Sequence, residues 1–301
     1  MRRDASAELA LLATVVIWSL NFTAVKVGVG DILPLAFSVV RFVVGGAATV
    51  AVVLWREGWP HFRRADLPLL LAAALSGITV NQVAFVEALS VTSATNVALL
   101  MGTIPIWTAL LAVAGRQERL DGAHWLALAA GIGGVVLVVL GGAPAAGAGS
   151  NLPLGEFLAL ATAASWAAYS VLIRPLMARY SALQLSAFMM VVGTAALVPF
   201  ALPDLVDQDW GSVPGAAWVS LLYAALLSVS LTNILYFTAI HRVGAARAAL
   251  FTYLEPFLGV LFAVALLREG VTVAQLVGGA VIVGSVALGR PRRADVAEPG
   301  I

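Results

Sequence analysis

The chain has 301 residues, of which 61% are hydrophobic and 11% charged, with a formal net charge of +1 and no cysteine. A soluble domain carries roughly 25% charged residues, so this composition excludes a water-soluble fold and predicts an all-α integral membrane protein. The near-neutral balance argues against a nucleic acid or other polyanion as partner, and the absence of cysteine removes disulfides, thiolate metal sites and cysteine nucleophiles.

Hydrophobic runs bounded by Gly, Pro or charge clusters predict ten transmembrane helices, at residues 8–29, 34–55, 67–89, 91–114, 123–140, 153–174, 182–203, 215–239, 244–267 and 272–289. Each run approaches the roughly 20 apolar residues that cross a hydrocarbon core. The first follows Arg2 and Arg3 but lacks a small-residue cleavage site, so it reads as a retained helix rather than a signal peptide. Lys and Arg in short loops favour the cytoplasmic side. With the N-terminus inside, thirteen of the seventeen Lys and Arg residues fall in inner segments, among them Arg56, Arg63, Arg64, Arg174 and Arg179. The outer loops then hold Arg268 and the acids Asp31, Asp204, Asp207 and Asp209. The expectation is a multi-pass plasma-membrane protein with both termini cytoplasmic.

An internal repeat runs through the chain. The segment ALSVTSATNVALLMGTIPIW from Ala88 aligns without a gap to AIHRVGAARAALFTYLEPFL from Ala239, with 17 residues from each start to Pro105 and Pro256. Another 13 residues lead from each proline to an acid, Glu118 and Glu269, and a glycine-rich helix follows in both copies. The same offset of 151 pairs Gln82 with Asn233 and Phe85 with Tyr236, and an offset of 148 pairs Trp18 with Trp166 and Lys26 with Arg174. Matched prolines, acids and tryptophans in register signal duplication rather than shared composition. The predicted organisation is a first five-span repeat over residues 1–142, an outer linker at 143–152, a second repeat over 153–289 and a cytoplasmic tail at 290–301. An odd number of spans per copy inverts the second copy relative to the first, the plan of many secondary transporters.

These features resemble the EamA-type permeases of the drug/metabolite transporter superfamily: two five-helix halves, Pro34 seven residues before Arg41 in the second helix, and the repeated Pro and Glu ahead of a glycine-rich last helix. The resemblance covers residues 8–289 and implies export of amino acids, metabolites or drugs through rearrangement of the two halves. The second half departs from it, with Val191 and Val192 near the position equivalent to Arg41, so the halves do not share that arginine's role.

Ionisable groups at membrane depth are costly and default to functional hypotheses. Lys26, near the end of the first span, is expected to snorkel to the interface. Arg41 lies about two turns into the second span and is expected to pair with backbone carbonyls or a neighbouring acid. Glu255 directly precedes Pro256, and a proline-broken helix carrying a carboxylate is where transporters bind ions or protons. Arg247 lies about two turns earlier on the same face. Glu255, Arg247 and Arg41 are therefore the expected proton- or ion-coupling set, against the alternative of a buried ion pair that fixes packing.

Amides and aromatics recurring at matched depth define a candidate substrate site between the halves: Trp18, Asn21, Gln82, Asn96, Trp166, Tyr169, Asn233, Tyr236 and Tyr253. Trp55, Trp59, Trp125, Trp210 and Trp218 read as interfacial anchors. Gly131, Gly134, Gly278 and Gly279 permit close helix contact, for packing or a homodimer through the last helices of the halves. His61, His124 and His241 lie at span edges and form no metal motif, and no nucleophile elbow or Walker lysine occurs, so no metal, cofactor or enzymatic activity is expected. The reading is a secondary transporter of small amphipathic metabolites such as amino acids, with a non-transporting receptor or assembly factor and an intramembrane lipid-modifying enzyme as alternatives. Glu255 reads as the single deep carboxylate.

Overall fold

The computed structural model describes residues 5–58, 60–115, 122–141, 152–243, 251–252 and 254–288. Those residues form helices and short connections, with no strand among them. Helix α1 (Ala5–Gly28) leads into α2 (Pro34–Glu57), whose opening proline supplies helical φ where no amide partner is needed. A short turn then leads into α3 (Leu67–Ala74), a π-helical stretch (Leu75–Val80) and α4 (Asn81–Val91), which run on as one span. The next span is broken into α5 (Ala94–Met101) and α6 (Ile104–Ala114), followed by α7 (Gly122–Gly141) and α8 (Leu152–Ile173). Helix α9 (Ala182–Asp207) precedes a second composite span of α10 (Gly215–Leu222), a π-helical stretch (Tyr223–Leu231) and α11 (Thr232–Val243). Helices α12 (Glu255–Leu267) and α13 (Val273–Leu288) close the order.

Seven of these segments are long and apolar enough to cross a membrane, and three shorter apolar helices accompany them, Trp125–Gly141, Glu255–Leu267 and Val273–Ser285. This is a multi-pass membrane protein. Large apolar side chains point outward, with Leu140 80% and Val273 77% exposed. Such exposure is stable only against lipid, which is as apolar as the side chains themselves, so close packing and interhelical hydrogen bonds must hold the helices together. One end of the bundle carries Arg56, Arg63, Arg64, Arg174 and Arg179, and the opposite end carries Asp31, Asp204, Asp207 and Asp209.

The local breaks follow from the sequence. Pro105 has no N–H to offer the carbonyl four residues back, and the chain tightens there, with Gly102 N–H reaching Leu99 O at 3.1 Å and Thr103 N–H reaching Leu100 O at 3.0 Å. Pro256 sits in the first turn of α12 after a matching turn, Leu254 N–H to Phe251 O at 3.0 Å. The two π-helical stretches stand at aligned places in the repeat as well. Glycine contacts repeat in the same way. A Cβ on Gly45 of α2 would meet Ala225 O and Val229, and a Cβ on Gly193 of α9 would meet Ala74 O and Ile78, which is the aligned pair of positions. Helix α2 thus abuts the later π-helical stretch and α9 the earlier one.

The glycine-rich helices α7 and α13 pack on each other. A Cβ on Gly134 would stand 2.7 Å from Gly278 O, and one on Gly278 would stand 2.6 Å from Gly134 O. Gly131 faces Ile106 and Ser285, and Gly279 faces Leu99, so all four glycines singled out above make close contacts within one chain.

Candidate functional site

Polar side chains gather in three places. The first surrounds Arg41, which is 2% exposed. Its guanidinium donates to Gln82 Oε1, and Gln82 Nε2 donates to Asn81 Oδ1 at 2.8 Å. Asn81 Nδ2 in turn donates to Thr162 O at 3.0 Å and Ser165 Oγ at 3.2 Å on α8. The rings of Phe42, Phe37 and Phe85 lie 5.0, 5.8 and 5.8 Å from the guanidinium carbon. The expected acid or carbonyl partner is replaced by a neutral amide and three aromatic faces, and Arg41 Nε is buried without an acceptor. Cation–π contact offsets part of the desolvation that a buried charge suffers.

The second group is the aromatic centre. Trp18 Nε1 donates to Thr232 Oγ1 at 2.9 Å and Ser228 O at 3.2 Å, and its ring lies 5.2 Å from that of Tyr236. Trp166 and Tyr169 form a similar pair at 5.3 Å. Tyr236 is within electrostatic range of both Tyr169 and Glu255. Tyr169 and Glu255 are both partly exposed. Ser19 Oγ donates to the Glu255 carbonyl at 3.1 Å, which joins α1 to the start of α12.

A third group lies at the acidic end. Lys26 Nζ donates to Leu89 O at 2.6 Å and Thr92 O at 2.7 Å. It caps the end of α4 where carbonyls lack partners, rather than snorkelling. Glu269 accepts from Ala94 N–H at 2.9 Å and Thr95 N–H at 2.8 Å, satisfying the first amides of α5. Asn96 accepts from Gln275 Nε2 at 2.6 Å and donates to Glu156 Oε1 at 3.4 Å.

The sequence-predicted residues divide among these groups. Trp18, Trp166, Tyr169, Tyr236 and Glu255 come together in the aromatic centre, while Gln82 belongs to the Arg41 network. Asn96 is fully buried at the acidic end and shares no partner with either group. Asn233 bonds Val229 O on its own helix at 2.5 Å and accepts from Ser186 at 3.4 Å. Asn21 Oδ1 is buried and finds no donor among the described residues. Arg247 and Tyr253 lie outside the described residues, as does Trp59. A second buried carboxylate, Glu156, is 4% exposed near the start of α8, at the acidic end. Asn81 and Thr232, which carry the two helix-crossing networks, were not among the predicted site residues.

Two concavities open on the bundle. One of about 280 Å³ at the acidic end is lined by Asp31, Asp207, Gln208 and Asp209. The other, of about 620 Å³, is an apolar groove between α5, α12 and α13 that runs from Pro256 to Gly270.

The profile of the EamA-like transporter family matches residues 5–140 and 153–289. A "Probable terminal-alkyne amino-acid exporter" of Streptantibioticus cattleyicolor is 29% identical over 295 residues, covering 97% of this chain and 97% of its own length. An "Uncharacterized transporter" of Archaeoglobus fulgidus is 26% identical over 288 residues, covering 95% and 97%. A solved crystal structure at 22% identity shares the fold with a TM-score of 0.63 over 94% of this chain and 96% of its own.

Proposed function

The chain belongs to the EamA-like transporter family, and from that premise we propose that it is a secondary transporter exporting small amphipathic metabolites, amino acids first among them, across the plasma membrane. Two inverted five-helix halves, residues 1–142 and 153–289, alternate access to a site between them. The two separate profile matches support this division. So do the breaks before Pro105 and Pro256, the paired π-helical stretches and the reciprocal contacts of Gly45 and Gly193. The arginine-rich end faces the cytoplasm, and both termini lie there.

One observation carries the substrate reading: Trp18 meets Tyr236 across the two halves, and the Trp166–Tyr169 pair packs on Gly77 of the first half. Aromatic walls with few, convergent polar groups suit a small amphipathic ligand. The rings offer π faces to an ammonium group and apolar surface to a side chain. The amino-acid exporter among the relatives supports that chemistry.

Glu255 also couples the cycle to protons. A carboxylate at this depth must be neutral, paired or wetted, and those options differ between open and closed states of the cavity. Arg41, the other described member of the expected coupling set, is held by Gln82.

Counterflow in proteoliposomes tests the substrate reading. Vesicles loaded with an unlabelled L-amino acid, including the terminal-alkyne residue propargylglycine, are expected to accumulate the same labelled amino acid faster than empty vesicles. Absence of exchange for every L-amino acid tried, in protein that remains folded, overturns it.

A further inference from the structure

We propose that the turn joining α4 to α5 is an outer latch, closed in this structure by side chains of the second half, and that Glu269 and Gln275 are its bolts. The proposal rests on the two-half reading above and goes beyond the substrate site.

At this turn the carbonyl end of α4 meets the amide end of α5, so unpaired acceptors and donors face opposite ways within a few residues. Lys26, from the same half, holds the carbonyls of Leu89 and Thr92. That contact shapes the turn without tying it to the other half. Ser93 and Thr92 of the turn itself bond Asn96, and the other grips come from across the interface: Glu269 takes Ala94 N–H and Thr95 N–H, Gln275 donates to Asn96 and Glu156 accepts from Asn96. Gln275 is itself braced by Thr272, whose N–H donates to Gln275 Oε1 at 2.8 Å. Opening the acidic end therefore requires the second half to release backbone groups that have no other described partner.

Other contacts between the halves behave differently. At the arginine-rich end Asp66 receives Arg179 and Tyr180, the latter at 2.6 Å. At the acidic end Leu33 N–H reaches Gln208 at 2.6 Å and Leu35 N–H reaches Asp204 at 2.8 Å. Both ties exist together in one structure, so they hold the α2–α9 side as a fulcrum. The latch lies where α5 meets α12 and α13, on another side of the bundle.

The cysteine-free chain permits a direct test. Spin labels on Ser90→Cys, beside the turn, and Gly270→Cys, beside Glu269, report their separation by double electron–electron resonance in nanodiscs. The parent pair is expected to give one short distance. Glu269→Gln and, separately, Gln275→Leu are expected to add a longer component, raising the open-to-closed ratio about tenfold, the scale of one charge-assisted hydrogen bond. Asp204→Asn, at the fulcrum, should leave the distribution unchanged. Identical distributions in parent and both latch variants, in protein that elutes as folded, reduce the contacts to static helix caps. Should Glu269→Gln not fold, Gln275→Leu decides alone. Counterflow that survives alongside unchanged distances sinks the latch and leaves the transporter reading standing.

Discussion

Arg41 is the residue where burial and charge conflict most directly. Its guanidinium is held by Gln82 and three phenylalanine rings, so removing the amide and removing the charge should have unequal costs. Gln82→Leu strands the guanidinium and is expected to lower stability by about 1–3 kcal/mol, the penalty of a buried donor left unmade. Arg41→Met removes the charge itself, a change often near neutral, and the double variant should resemble Arg41→Met. Thermal unfolding of the three variants in detergent checks this, and an Arg41→Met loss as large as that of Gln82→Leu would mean that the charge makes stabilising contacts beyond the amide. This qualifies the expectation that Gln82 serves the substrate alone. At Glu255 the shape-preserving variant Glu255→Gln should still bind substrate and support counterflow, yet lose the pH dependence of transport driven by a proton gradient. A wild-type pH profile in that variant assigns Glu255 to packing.

Among elements, helix contact is set by which glycines face a neighbour. On α7, a Cβ at Gly134 would stand 2.7 Å from Gly278 O, whereas one at Gly133 meets nothing within 4 Å. Gly134→Ala must push α13 away and should cost about 1–3 kcal/mol, as overpacking does. Gly133→Ala adds helix propensity of up to roughly 1 kcal/mol without a clash. Opposite shifts in melting temperature are therefore expected from neighbouring positions, and equal shifts would contradict the α7–α13 contact. The π-helical stretches belong to the same scale. Their wider turns carry Ser76 and Gly77 against α8, where Ser76 Oγ reaches Ser165 O at 2.8 Å and Gly77 leaves room for the Tyr169 ring. π-bulges are frequent at functional sites, and this one seats the Tyr169 ring beside its Trp166 partner.

For the whole molecule, the separation of arginines and aspartates to opposite ends sets orientation. Asp207→Cys should react with a membrane-impermeant maleimide in intact cells, and Arg64→Cys only after permeabilisation. The reverse pattern would invert the molecule and turn the proposed export site and latch to face the other way.

The hydropathy of the chain determined by itself where the spans lie, because the bilayer imposes one length on any apolar helix. The run expected at 182–203 is helical over Ala182–Asp207, and that at 272–289 is helical over Val273–Leu288. The helix breaks at Pro105 and Pro256 were equally legible, since proline constrains backbone wherever it stands. Partners were not. Asn81 and Gln82 are neighbours in sequence, yet successive helical residues point about 100° apart, and only the assembled bundle sends one to Thr162 on α8 and the other to Arg41 on α2. The acid thirteen residues after Pro256 was visible as a pattern, but its partners are the backbone amides of Ala94 and Thr95. Every residue but proline carries the same amide N–H, so sequence holds little mark of which one a carboxylate will meet. Hydrophobic pattern specifies depth in the membrane, and tertiary packing alone decides which groups share that depth face to face.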